Sequence, residues 1–246
     1  MLYRIVTCLA FLLLTATIAS AVEERTTHQT FALNADGTVS IQNVNGDITI
    51  RGWQKNQVEM KATKRGRSED FDLVEIKIDS SPDRLSIETK YPKYRRDTEV
   101  SVEYELMVPQ TATLDPVENV NGSIDISAVD RTLSVKTVNG SAEVRGTKSA
   151  LDAETVNGSV SVNWTVFPKD GRVSIHSVNG RLELQLPANA NASLEASSLN
   201  GSIDSDFPIT VQGRFWRHTM SGKIGAGGPA IELSTINGSI DILKSK

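Results

Sequence analysis

The chain has 246 residues, with 26 bases against 30 acids for a net charge of −4, and one cysteine, Cys8. Mild acidity gives no electrostatic reason to expect nucleic acid or an anionic membrane surface as a partner. A lone cysteine excludes an internal disulfide framework and a cysteine-ligated metal centre.

The first predicted element is a secretory signal peptide over residues 1–21. Met1-Leu-Tyr-Arg4 is basic, Ile5 to Ile18 is mostly apolar, and Ala19-Ser-Ala21 supplies the small residues of a cleavage site. The apolar run is short for a membrane span, and the polar Glu23-Glu24-Arg25 soon succeeds it. Cys8 falls inside this leader, so the exported chain carries no thiol. No later segment approaches membrane length, which predicts an exported protein, periplasmic, secreted or at the cell surface, with no membrane span after cleavage near Ala21.

Residues 22–115 read as an all-β section. One clear copy of a phrase occurs at Thr38–Trp53, and apolar/polar alternation continues in Gln57–Lys61, Leu73–Ile78, Leu85–Thr89 and Val100–Val108. The section is expected either to form wider coils or to be an antiparallel cover for the open end of a repeat stack, since a bare terminal strand is a sticky edge.

Residues 116–246 are dominated by repetition and are expected to continue from the first section. The Asn-Gly pairs Asn45-Gly46, Asn121-Gly122, Asn139-Gly140, Asn157-Gly158, Asn179-Gly180, Asn200-Gly201 and Asn237-Gly238 sit in nearly the same eight-residue phrase. Met220-Ser-Gly222 looks like an eighth, degenerate copy, and with it the unit is 16–22 residues long. The first gap, Asn45 to Asn121, has room for three unmarked coils or an insertion. A phrase repeated in this way describes one supersecondary unit stacked on itself.

Two residues after the glycine come Ile48, Ile124, Ala142, Val160, Leu182, Ile203 and Ile240, and two further on Ile50, Ile126, Val144, Val162, Leu184 and Ile242. Upstream, Leu133/Val135, Val173/Ile175 and Ile231/Leu233 repeat that period of two. Each unit is therefore two short strands meeting at Asn-Gly. A two-residue hairpin is the usual reading of that junction. It would pair the always apolar residue before Asn (Val44, Val120, Val138) with the polar one after Gly (Asp47, Ser123, Arg181). Cross-strand partners should share an environment. A corner fits better, built from left-handed conformations that Asn and Gly tolerate, with the apolar residue before Asn pointing into a core. Corners stacked at a regular period make a parallel β-solenoid (β-helix), seven coils giving a rod of about 34 Å. The Thr/Ser column (Thr137, Thr155, Ser177, Ser198, Thr219, Thr235) and the Asn column are each expected to hydrogen-bond from coil to coil.

The pattern Val39-Ser-Ile41, Val44-Asn-Gly-Asp-Ile48, Arg51-Gly-Trp53, Val108-Pro109 and then serial Val-Asn-Gly-Ser-Ile copies resembles the bacterial "putative adhesin" family, domain of unknown function 4097, over residues 30–242. The resemblance implies an exported β-solenoid of the cell envelope and brings no catalytic or ligand-binding residue. The chain departs from the pattern at Ser205, Arg217 and Met220-Ser-Gly222, where distortion of the last coils is expected.

No convergent chemistry stands out. The column Asp125, Glu143, Glu183, Asp204 and Asp241 should bring Asp125 near Glu143 and Glu183 near Asp204. It offers a weak calcium site or a carboxylate pair, but reads better as a solvated face. His176 and His218 share a column with Ser197 between them, too far apart for one metal. Gly222 to Pro229 lacks the ending of a phosphate loop and reads as a connector. Trp53, Trp164, Trp216, Tyr91, Tyr94 and Tyr104 are sugar-stacking candidates more often found packed. The run Lys61–Arg67 with Arg95-Arg96 is a solvated basic patch. The sequence assigns no catalytic, cofactor or metal residue, and the seven Asn-Gly pairs are expected to be structural. The functional expectation is a non-enzymatic, adhesin-like binding protein or scaffold whose partner is an envelope protein or glycan. The alternative is a polysaccharide-active β-helix enzyme.

Overall fold

Alternating apolar residues at period two should build sheets, and they do. The computed structural model describes residues 23–93, 98–211 and 218–245. The leader, Tyr94, Arg95-Arg96, Trp216 and Arg217 lie outside the described residues. The first section supplies β1 (Glu23–Ala32), β2 (Thr38–Asn45), β3 (Ile48–Trp53), β4 (Gln57–Gly66), β5 (Glu75–Ser80), β6 (Arg84–Lys90) and β7 (Val100–Pro109), with a 3-10 helix at Ser68–Leu73. The repeats supply β8 (Thr113–Asn121), β9 (Ile124–Ser127), β10 (Leu133–Asn139), β11 (Ala142–Thr147), β12 (Leu151–Asn157), β13 (Val160–Trp164), β14 (Arg172–Asn179) and β15 (Leu182–Leu186). The chain ends with β16 (Ala192–Asn200), β17 (Ile203–Ser205), β18 (Ile209–Val211), β19 (Thr219–Ile224), β20 (Ala230–Asn237) and β21 (Ile240–Lys244).

Two sheets face each other across one core. One runs β1-β4-β7-β3-β9-β11-β13-β15-β21-β17, the other β18-β19-β16-β20-β14-β12-β10-β8-β2-β6-β5. Within each Asn-Gly phrase the first strand belongs to the second sheet and the next strand to the first sheet, so the two never pair with each other. Each pairs in parallel with its counterparts in neighbouring rungs: Asn139 lies opposite Asn121 and Asn157, and Ala142 opposite Ile124 and Val160. Fully buried Ile48, Ile124, Val160, Leu182 and Ile240 from one sheet meet Val39, Val117, Val135, Ala153, Ile175 and Leu233 from the other. The result is a β-solenoid-like fold with antiparallel strands at both ends: β1 on β4 and β4 on β7, β5 on β6, and β19 on β16 and β18.

Sequence order and spatial order part company at the ends. β2 pairs directly with β8, so the copies at Asn45 and Asn121 are adjacent rungs, with no coil stacked between them. β6 and β7 instead form one rung on the outer side of β2 and β3. At the other end β20 and β21 insert between the rung of β14/β15 and that of β16/β17. Stacking in plain chain order, the expectation from the spacing, therefore fails at both ends. The degenerate copy is no coil either, because β19 runs antiparallel to β16. Without the Asn-Gly pair, the chain there continues as one strand rather than crossing to the other sheet.

The residue before each Asn faces outward, contrary to the expected core position. Val120, Val138, Val156, Val178, Ile236 and Leu199 are 36–63% exposed, whereas the neighbouring Thr137, Thr155, Ser177, Thr235 and Ser198 are buried. Strand parity is the reason. With Leu133 and Val135 in the core, Thr137 must point in and Val138 out. The buried hydroxyls find partners on the adjacent rung: Thr155 donates to the Gly140 carbonyl at 3.2 Å, Thr235 to that of Gly180 at 3.2 Å and Ser198 to that of Gly238 at 2.9 Å.

Nor do left-handed asparagines turn the chain. Among the described residues Ala128 is the one non-glycine with positive φ. Gly46, Gly122 and Gly158 have positive φ, at 109°, 137° and 157°, but Gly140, Gly180, Gly201 and Gly238 do not. These four need glycine for closeness instead. A Cβ on Gly180 would lie 1.8 Å from the Gly158 carbonyl oxygen, and one on Gly140 2.0 Å from that of Gly122.

Candidate functional site

The outward face of the second sheet collects three parallel columns. Nearest the crossing is the Asn ladder: Asn121 donates to Asn45 at 2.8 Å, Asn139 to Asn121 at 2.9 Å and Asn157 to Asn139 at 2.9 Å. The ladder continues with Asn179 to Asn157 at 2.8 Å, Asn237 to Asn179 at 2.7 Å and Asn200 to Asn237 at 2.9 Å. Beside it runs the aliphatic stripe Val44, Val120, Val138, Val156, Val178, Ile236 and Leu199. Six rung spacings make it about 29 Å long. The third column is polar: Gln42, Glu118, Lys136, Glu154, His176, Ser234 and Ser197.

Between stripe and polar column lies a groove of about 770 Å³, lined from Val44 to Ile236. Its charges are mixed in sign. Lys136 Nζ pairs with Glu154 at 3.2 Å, and the hydrogen bond and charge of Glu154 hold the Lys136 ammonium above its ordinary pKa. His176 sits between two hydroxyls, with Nε2 2.9 Å from Ser174 Oγ and Nδ1 2.5 Å from Ser234 Oγ. A nucleophilic triad sets a carboxylate on the second ring nitrogen. Here a serine holds that place, and the imidazole is fixed rather than activated.

The acids of the first sheet are assembled only in part as expected. Glu143 lies opposite Asp125, and Arg145 spans them, at 2.5 Å from Asp125 and 2.8 Å from Glu143. With the guanidinium charge stabilised chiefly by Asp125, the group holds its proton more tightly still. Both carboxylates of the pair are thus engaged by one guanidinium. Glu183 is not beside Asp204; both lie opposite Asp241, from the inserted rung. Asp241 in turn takes Arg181 at 2.6 Å.

Of the other candidates, His176 lies opposite Ser234, which lies opposite Ser197, while the His218 carbonyl accepts the Ser198 N–H. Trp164 is buried, donates to the Ser149 carbonyl at 3.0 Å and meets Phe167 edge-on. Tyr104 is buried against Thr89 at 2.7 Å, and that burial pushes its phenol far above the ordinary range. Trp53 is covered by Lys55 at 4.3 Å. The basic run is matched by acids, Lys61 with Glu105 at 2.7 Å and Arg65 with Glu24 at 3.3 Å. Gly222 and Lys223 belong to β19, and the turn beyond holds Gly225 and Gly227 at positive φ. The aliphatic stripe is the surface that sequence reasoning misses, although the parity of Leu133 and Val135 already carries the signal.

Stacked parallel rungs closed between two sheets define a β-solenoid-like class of protein. The chain belongs to the Toastrack family, DUF4097, whose profile matches residues 116–243. Among solved structures it resembles a "putative cell adhesion protein" from Clostridium sporogenes, with a TM-score of 0.55 and 11% identity over 91% of this chain and 100% of that one. A "putative adhesin" from Bacteroides fragilis aligns at TM-score 0.30 and 10% identity, covering 89% of this chain and 97% of the other. A "putative lipid binding protein" from Parabacteroides distasonis aligns at TM-score 0.32 and 11% identity, covering 90% and 97%. No curated protein matches by sequence. Among the described residues no helix is long and apolar enough to cross a membrane, and no group of three or more His, Cys, Asp or Glu is placed to hold a metal ion.

Proposed function

We propose that this protein is an exported, non-enzymatic scaffold of the bacterial cell envelope that binds a partner polypeptide along its aliphatic stripe. The observation that carries the reading is the stripe itself. It exposes on the order of a few hundred Å² of contiguous apolar surface, the size of the largest patch on a typical soluble monomer, which is often functional. A polypeptide suits it better than a glycan. Sugars are gripped by aromatic platforms, and Trp164 and Tyr104 are buried in the core, whereas a row of Val and Ile offers dispersion contacts to apolar side chains. In this reading the Asn-Gly pairs are structural corners that keep the stripe straight, β1, β4 and β5 serve as the cap of one end, and the leader is cleaved near Ala21. The chemistry also favours binding over hydrolysis, because the paired acids Asp125 and Glu143 are both engaged by Arg145.

The test compares immobilised wild type with a Val138→Asp/Val156→Asp variant, each exposed in parallel to solubilised envelope proteins and to envelope glycans. Retention of one protein species by wild type, reduced at least about tenfold in the variant, is expected. Equal retention by both, retention of glycan alone, or release of new reducing ends contradicts the reading.

A further inference from the structure

The seven Asn-Gly pairs are chemically alike but not structurally alike. In six of them the glycine N–H donates to the asparagine carbonyl of the next rung, at 2.9–3.1 Å: Gly46 to Asn121, Gly122 to Asn139, Gly140 to Asn157, Gly158 to Asn179, Gly180 to Asn237 and Gly238 to Asn200. The seventh pair, Asn200-Gly201, lies on the outermost parallel rung, carried by β16 and β17. Among the described residues the Gly201 N–H donates to no rung, and the Asn200 side-chain oxygen accepts from none. Both residues are exposed.

That difference bears on a reaction to which Asn-Gly is predisposed, because a glycine offers no Cβ to obstruct attack by its own nitrogen. The Gly201 nitrogen loses its proton to solvent base and bonds to the Asn200 side-chain carbon. The bond to Nδ2 breaks, ammonia leaves, and water opens the resulting cyclic imide to aspartate or isoaspartate. Overall, amide plus water gives carboxylate plus ammonium. In the other six pairs the attacking nitrogen is already committed to the neighbouring rung, and that bond must open first.

We propose that Asn200 is a self-modification site, the position at which the folded protein deamidates while the rest of its Asn ladder is protected. The product places a negative charge at the end of the ladder, next to Leu199, the most exposed residue of the stripe. The isoaspartyl form also adds a backbone methylene where the terminal rung crosses between sheets. This inference is independent of what the groove binds.

The sequence supplies its own control, since Asn121, Asn139, Asn157, Asn200 and Asn237 all stand in the same tripeptide, Asn-Gly-Ser. The full chain is incubated in mildly alkaline buffer, native and in urea, and digested. Each of the five peptides is followed by the mass gain of amide-to-carboxylate conversion and by isoaspartate detection. In the native protein Asn200 is expected to convert at least about tenfold faster than the other four, and in urea the five should fall within about twofold of one another. Uniform rates in the native state, another pair leading, or no conversion at Asn200 while the urea sample converts overturns the proposal. Asn200→Gln should abolish the fast phase; its survival would place the reaction elsewhere.

Discussion

The central rungs and the two ends of this molecule solve the same problem differently. From β8 to β15 the chain climbs in sequence order, and every rung is bonded above and below by its neighbours. At the ends the order is broken: β6/β7 lies outside β2/β3, and the last rung, β20/β21, slots inside β16/β17. The C-terminal strands are thereby clamped between two neighbours instead of fraying from an edge. Regular stacking needs only local repetition, whereas termination needs long-range closure, and the most distant pairings sit where the rod must stop.

The largest expected effect comes from removing the inserted rung. Deletion from Ala230 onward strips the partners of both β14/β15 and β16/β17. It should cost a substantial part of the roughly 5–15 kcal/mol that stabilises a domain, seen as loss of cooperative unfolding and rapid proteolysis. A truncated chain melting like the full one would mean that the clamp is unimportant. Next come the glycines. Gly140→Ala in a central rung drives a Cβ into the Gly122 carbonyl and should destabilise by about 3 kcal/mol or more in denaturant unfolding. Gly201→Ala on the outermost rung faces a similar approach to Gly238. The three-residue β17 can lift away, and about 1 kcal/mol is expected. Equal losses would erase the distinction between centre and end. Smallest is the ladder. Asn139→Ala removes bonds on two sides and should cost about 1 kcal/mol, and Asn200→Ala, with one bond, about half that.

Legibility in the sequence divides along the same line. Leu133, Val135, Ala142 and Val144 alternate within one phrase, and a local period is enough to place them in the core. Nothing local marks β20 as the neighbour of β14 rather than of β16 alone, because every rung offers the same Asn-Gly surface. The Val-Asn-Gly phrase also misleads. An invariably apolar residue looks like a core position, but the parity of Leu133 and Val135 puts Thr137 in and Val138 out. Threonine tolerates burial there because its hydroxyl meets the Gly122 carbonyl, a partner on the neighbouring rung that no single-strand pattern contains. Conformational freedom is the usual reason to expect glycine; Gly140 and Gly180 are instead required by how closely one rung approaches the next.

Strand parity can be tested at two adjacent residues, Thr137 and Val138. Unfolding free energies of Thr137→Asp and Val138→Asp, measured against wild type, decide which side chain faces the core. Val138→Asp is expected to stay within about 0.5 kcal/mol of wild type, while Thr137→Asp, burying a carboxylate, loses about 3 kcal/mol or more. A collapse of Val138→Asp with Thr137→Asp unaffected would turn the stripe inward and remove the proposed binding face.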